Sequence, residues 1–159
     1  MTLPEITFAN VLDYIGTLAF AISGIRLAST KNFDWFGAYV VGLATAIGGG
    51  TVRDLMLDVP VFWMRNGIYF LITLLALLLV VLFGKVVVRQ KYTWFIFDTI
   101  GLGMFAVIGI EKTLGVGFPF WVAIVMGSVT GAGGGVIRDV FLNEVPLIFR
   151  AEIYEIGRA

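Results

Sequence analysis

There is no cysteine and no histidine in these 159 residues. Without cysteine the chain can form no disulfide, hold no metal through a thiolate and use no thiol nucleophile. Without histidine it lacks the side chain most used for proton transfer near neutral pH and the commonest metal ligand. Charge is scarce as well. Only 14% of positions are Asp, Glu, Lys or Arg, where a soluble domain carries about a quarter. The 11 basic and 11 acidic residues cancel; a nucleic-acid surface needs a basic excess, so no nucleic-acid partner is expected. No glycine-rich loop precedes a Lys-Ser or Lys-Thr pair, which removes a phosphate-binding loop, and no carboxylates cluster. The expectation is no catalytic residue, no metal, no cofactor, and a protein that is not an enzyme.

What the chain has is apolar length: 59% hydrophobic residues and a mean hydropathy of +0.97. The run from Asn66 to Gly84 carries no charge between its ends and is long enough to cross a hydrocarbon core of about 30 Å as a helix. Four other segments are apolar but interrupted by single charges: Phe8 to Ser29, Trp35 to Leu57, Trp94 to Ile110 and Phe118 to Leu142. None alternates as a transmembrane β-strand would, and the first lacks the basic start of a signal peptide. The composition therefore predicts an all-α integral membrane protein with five complete spans and the lipid bilayer as its solvent. Trp35, Trp63, Trp94 and Trp121 fall near span ends and read as interfacial anchors. Glu111-Lys112 reads as a solvated loop pair, and Pro60 and Pro146 as helix stops.

The chain also repeats itself. At an offset of 85, Asp13–Asp54 lies on Asp98–Asp139 without a gap, matching Asp13/Asp98, Gly16/Gly101, Phe20/Phe105, Gly24/Gly109, Gly42/Gly127 and Thr45/Thr130. The densest match is GGGTVRD (Gly48–Asp54) on GGGVIRD (Gly133–Asp139). Val-Pro then recurs one residue out of step, and Arg65-x-x-x-Tyr69 returns in register as Arg150-x-x-x-Tyr154. A repeat of three spans is odd in number, so the second copy must enter the membrane from the opposite side, an inverted repeat. The expected division is residues 1–84 for the first repeat, 85–93 for a linker and 94–159 for the second. On this reading the chain ends early in helix 6, whose start is expected near Ala151. Loop charges predict the orientation: Arg26, Lys31, Lys85, Arg89, Lys91 and Arg150 lie on one side, Arg65 and Lys112 on the other. The first group belongs in the cytoplasm, with the linker, and the N-terminus outside.

Three consecutive glycines late in a span weaken a helix by about 1 kcal/mol each relative to Ala. One reading is packing, because Gly42, Ala46 and Gly50, like Gly127, Gly131 and Gly135, form small-residue stripes that let helices approach. The stripes leave Gly48, Gly49, Gly133 and Gly134 unused. The other reading adds a break or kink at each triplet, exposing carbonyls to a water-filled path. If the triplets only pack, Gly49→Ala is expected to be harmless or mildly stabilising. Arg53 and Arg138 sit one turn further on, inside their spans, where a charge needs a partner or water. Asp54 and Asp139 are adjacent, and side chains at i,i+1 do not face each other on a helix. Depth instead pairs Asp13 with Arg53 and Asp98 with Arg138. Such pairs would lock helices together or set the electrostatics of a path.

The doubled GGGxxRD block, the inverted three-helix repeat and the Arg-x-x-x-Tyr after each Val-Pro resemble the prokaryotic TRIC family. These are trimeric intracellular cation channels, also labelled a glycine transporter domain. The resemblance implies seven helices, an N-terminus outside, and a homotrimer in the prokaryotic cell membrane. Each protomer would then carry its own potassium-permeable pore beside helices 2 and 5, broken at their glycines. On this chain the implied breaks fall on Gly48, Gly49, Gly50, Gly133, Gly134 and Gly135, and the implied basic positions on Arg53 and Arg138; the repeated Thr45 and Thr130 are added as candidate pore positions. The pore electrostatics would rest on Asp13, Arg53, Asp54, Asp98, Arg138 and Asp139. The alternative is a secondary transporter for a small solute such as glycine, since inverted repeats and broken helices mark transporters equally well.

Overall fold

A computed structural model describes residues 8–83 and 93–149. The expected start of helix 6 at Ala151, Arg150, Tyr154 and nearly all of the 85–93 linker lie outside the described residues. Five long helices follow the five apolar segments: α1 (Phe8–Thr30), α2 (Trp35–Met56), α3 (Ile68–Leu82), α4 (Thr93–Gly115) and α5 (Phe120–Phe141). A single-turn helix, Phe62–Arg65, precedes α3, and a 3-10 turn, Leu147–Phe149, follows α5. Among the described residues, α1, α2 and α5 are long and apolar enough to cross a membrane. The run expected to span from Asn66 to Gly84 is helical over 15 residues only. Its start is set by Asn66, whose side-chain oxygen accepts from the Ile68 N–H at 3.1 Å and turns the chain just before the helix. The fourth span runs five residues past Ile110 and takes Glu111 and Lys112 into α4; the loop expected there is helix.

Helix ends follow local chemistry. The Asp34 carboxylate caps α2 by accepting from the Gly37 N–H at 2.7 Å, satisfying one of the donors a helix start leaves open. The helices α2 and α5 end identically. The N–H groups of Val59 and Glu144 reach back to the carbonyls of Asp54 and Asp139 at 3.0 and 2.8 Å. Between them, Asp58 (φ 53°) and Asn143 (φ 54°) adopt the left-handed conformation, which Asn and Asp tolerate better than other non-glycine residues. Each chain then turns back along its own helix.

The repeat is visible as duplicated contacts. Phe20 lies over Gly101 and Phe105 over Gly16, where a Cβ would meet the rings at 2.7 and 3.1 Å; the two rings are 5.1 Å apart, centre to centre. Four residues forward on α1 corresponds to four residues back on α4, so these helices run antiparallel. Between α2 and α5 the register reverses in the same way. A Cβ on Gly49 would overlap the Thr130 carbonyl oxygen, and one on Gly134 the Thr45 carbonyl oxygen. Within each repeat, a Cβ on Gly24 would sit 2.9 Å from Gly42 Cα, and one on Gly109 sits 2.9 Å from Gly127 Cα. Antiparallel pairing of equivalent helices is what an inverted repeat requires. Around this four-helix centre, α3 packs against α1 and α2 through the buried Tyr69, Thr73, Ala76 and Val80.

The breaks expected at the glycine triplets are absent: α2 and α5 are continuous helix through Gly48–Gly50 and Gly133–Gly135. Two faces of each helix need glycine, not one. Gly42 faces α1 and Gly127 faces α4, Gly50 meets Phe62, while Gly49 and Gly134, left without a role by the stripes, carry the α2–α5 crossing. Close packing compensates the low helix propensity of glycine there, as tertiary context commonly does.

Candidate functional site

The ends of the α2–α5 crossing differ in chemistry. At the near end, α1 and α3 begin and α2 and α4 finish; at the far end, α4 begins and α5 finishes. Each RD pair folds back on itself. Arg53 Nε donates to Asp54 Oδ1 at 2.8 Å, and Arg138 Nε to Asp139 Oδ1 at 2.8 Å. This corrects the expectation that adjacent side chains cannot meet. The rule concerns side chains radiating from an exposed helix, whereas a buried arginine can curl along its own helix to its neighbour. The second carboxylate oxygen of each Asp accepts a backbone N–H from the returning chain, Phe62 for Asp54 and Leu147 for Asp139, both at 2.9 Å. Asp54 and Asp139 are thus buried clamps (0% and 1% exposed) that tie the segment after each helix back to it.

The arginines differ in their other partners. Arg138 pairs with Asp98, as the depth argument expected, and also donates to Ser23 Oγ at 2.7 Å. Among the described residues no ion pair joins Arg53 to Asp13. Asp13 instead accepts from the Tyr69 hydroxyl at 2.5 Å, while Arg53 lies 5.8 Å from the centre of the Phe62 ring. The reason is α3, which brings Tyr69 against α1 and supplies a donor ahead of Arg53. Lys112, far from being a solvated loop residue, donates to Asp54 Oδ1 at 2.7 Å.

The two ends also differ in space. The near end holds a cavity of about 520 Å³ lined by Asn10, Asp13, Arg53, Phe62, Tyr69, Ile108, Glu111 and Lys112 among others. At the far end, Asp98, Gly135, Arg138 and Leu147 enclose about 30 Å³. Between these ends, Thr45 and Thr130 are fully buried, and each hydroxyl donates to a carbonyl one turn back, Val41 and Met126, at 2.6 Å. Their hydroxyls are therefore engaged within their own helices; what they offer the crossing is their backbone carbonyls. Trp35 and Trp121 are exposed at span ends, whereas Trp63 donates to Thr51 Oγ1 at 3.0 Å.

The residues missed from the sequence are Tyr69, Ser23, Phe62 and Lys112. Tyr69 was signalled by the recurring Arg-x-x-x-Tyr; Ser23 had no such signal, because its aligned counterpart is Ile108. Removing the Tyr69 hydroxyl leaves Asp13 short of its donor. A hydrogen bond to a charged group contributes about 1.5–3 kcal/mol, so Tyr69→Phe is expected to lower stability by about 1.5 kcal/mol. Thermal unfolding in detergent measures it, and a melting temperature equal to wild type would show that water replaces the hydroxyl.

Comparison with known proteins agrees with this architecture. A family model described as "Glycine transporter" matches residues 10–85 and 95–157. The UPF0126 inner membrane protein YadS of Escherichia coli K12 is 42% identical over 149 residues, covering 90% of this chain and 70% of YadS. The UPF0126 membrane protein YvgT of Bacillus subtilis is 40% identical over 153 residues, covering 94% and 75%. Among solved structures, the TRIC trimeric intracellular cation channel orthologue from Rhodobacter sphaeroides superposes with a TM-score of 0.85 at 37% identity, over 92% of this chain and 76% of that one. A prokaryotic TRIC channel crystallised in 0.5 M KCl gives 0.83 at 32% identity, over 94% and 77%.

Proposed function

The chain belongs to the prokaryotic TRIC family, and on that premise we propose that it is a monovalent-cation channel, with potassium as its ion and a homotrimer with one pore per protomer as its assembly. The observation that carries the reading is the α2–α5 crossing itself. Two helices meet through Gly49 and Gly134, backbone on backbone, and each end of the crossing carries a carboxylate beside an arginine. A contact without interlocking side chains can shear at low cost. The ion path runs along this crossing from the near-end cavity to the far-end pocket. Asp13 and Asp98 draw cations in, and Arg53 and Arg138 keep the carboxylates from trapping them. Residues 1–84 and 94–159 are the two repeats and 85–93 the linker. The protein lies in the cell membrane of a prokaryote with the near end outside.

A second reading, a carrier for a small solute such as glycine, is favoured by one feature. The near-end cavity presents both a carboxylate (Asp13) and a guanidinium (Arg53), which suit a zwitterion. Flux into proteoliposomes made with the full-length protein separates the two: potassium current that does not saturate supports the channel, and saturable, gradient-coupled glycine uptake the carrier. The orientation has its own test. With no native cysteine to interfere, a membrane-impermeant thiol reagent on intact cells is expected to label Met64→Cys and leave Thr30→Cys untouched. Equal labelling of both would mean that α2 does not separate two sides of the membrane, and labelling of Thr30→Cys alone would reverse the orientation.

A further inference from the structure

The two ends are built from aligned residues, yet one holds a cavity of about 520 Å³ and the other about 30 Å³. Asp13 matches Asp98, Arg53 matches Arg138 and Asp54 matches Asp139. Besides Tyr69 on Asp13 and Lys112 on Asp54 at the near end, the ends part at the position each receives from the opposite repeat. At the far end α1 delivers Ser23, fully buried, whose Oγ accepts from Arg138 Nη1 at 2.7 Å and donates to Asp98 Oδ1 at 3.4 Å. At the near end α4 delivers the aligned Ile108, which has no hydrogen-bonding group and lines the open cavity. There Asp13 and Arg53 stay apart.

We propose that Ser23 is the latch of the far end: one hydroxyl from the first repeat closes the Asp98–Arg138 pair of the second, and at the near end, where Tyr69 holds Asp13, Ile108 supplies no hydroxyl to bridge Asp13 and Arg53. Ser23 acts through Asp98 and Arg138 and is a positioning residue. Its hydroxyl serves both charges at once, donating to the carboxylate and accepting from the guanidinium, which a methyl cannot do. Opening the far end therefore requires Ser23 to release both partners, by movement of α1 against α5. The latch rests on the reading that ions pass between the two ends, but its test does not.

Because the chain has no cysteine, a single cysteine reports access to either end without background. Val136→Cys lines the far-end pocket and Ala9→Cys the near-end cavity. In proteoliposomes of the full-length protein, Ser23→Ala is expected to raise the rate at which a small charged methanethiosulfonate reagent modifies Val136→Cys by about tenfold. It should leave Ala9→Cys unchanged, and Ser23→Thr, which keeps the hydroxyl, should restore slow modification at Val136→Cys. The reciprocal variant Ile108→Ser is expected to slow modification of Ala9→Cys severalfold. Equal rates at Val136→Cys for Ser23→Ala and Ser23→Thr would overturn the latch, as would a rise at both cysteines, which means general loosening. Should Ser23→Ala not fold, Ile108→Ser decides alone: an unchanged rate at Ala9→Cys overturns the proposal. A latch that responds as expected in a protein that passes no potassium would leave the latch standing and remove the channel.

Discussion

Alanine at both Gly49 and Gly134 is expected to destabilise the protein by roughly 2–6 kcal/mol, because overpacking a tight contact costs about 1–3 kcal/mol per site. The added methyls would overlap the carbonyl oxygens of Thr130 and Thr45, and Gly134 N lies only 3.1 Å from the Gly49 Cβ position. These are backbone atoms of continuous helices, so relief requires the whole crossing to separate. Gly103 provides the contrast, as nothing lies within 4 Å of its Cβ position. Gly103→Ala should follow helix propensity and stabilise by up to about 1 kcal/mol. Gly48 is intermediate, since its Cβ would meet Ile137 Cδ1, the end of a side chain that can turn away. Thermal unfolding followed by circular dichroism in detergent ranks all three. A Gly49→Ala/Gly134→Ala protein that melts at or above the wild-type temperature would mean that the helices do not cross on these glycines.

Arg138→Gln is expected to cost about 3–5 kcal/mol, the usual loss when one partner of a buried ion pair is removed. Arg138 is fully buried, and both Asp98 and Asp139 depend on it. Without it two carboxylates face each other across a space too small to hydrate them. The effect should be coupled. Asp98→Asn in the Arg138→Gln background is expected to restore part of the loss, whereas Asp13→Asn and Arg53→Gln, which share a cavity without an ion pair, should couple much more weakly than Asp98 and Arg138 do. Additive losses for the Asp98–Arg138 cycle would refute the far-end pair, and strong coupling between Asp13 and Arg53 would refute the asymmetry of the two ends.

Much of this was legible in the residues. Every long helix coincides with an apolar segment to within a few residues, because hydrocarbon length and helical rise set the scale of both. The failures share a cause. The loop placed at Glu111-Lys112 is the last turn of α4, since Asp54 waits across the bundle for the lysine. The triplets looked like breaks because propensity counts what glycine costs its own helix and cannot see what a neighbouring helix gains. For the same reason Gly49→Ala looked harmless when only the Gly42–Ala46–Gly50 stripe was in view. The Asp13–Arg53 pair followed from depth alone, and depth does not reveal that Tyr69 stands nearer.

The sequence by itself determined that the chain lies in a membrane, that it is a duplicated helical unit, and that the second copy is inverted. Those conclusions depend on composition, on segment length and on an odd number of spans, all of which are properties of the chain read along its length. Only the tertiary structure decided which glycines face which helix, that the RD pairs clamp their own returning chains, and that equivalent charges at the two ends take different partners. Those outcomes depend on side chains from opposite repeats meeting across the antiparallel crossings. At the far end the deciding residue is a serine aligned with an isoleucine, and nothing along the chain distinguishes that mismatch from ordinary divergence between two copies.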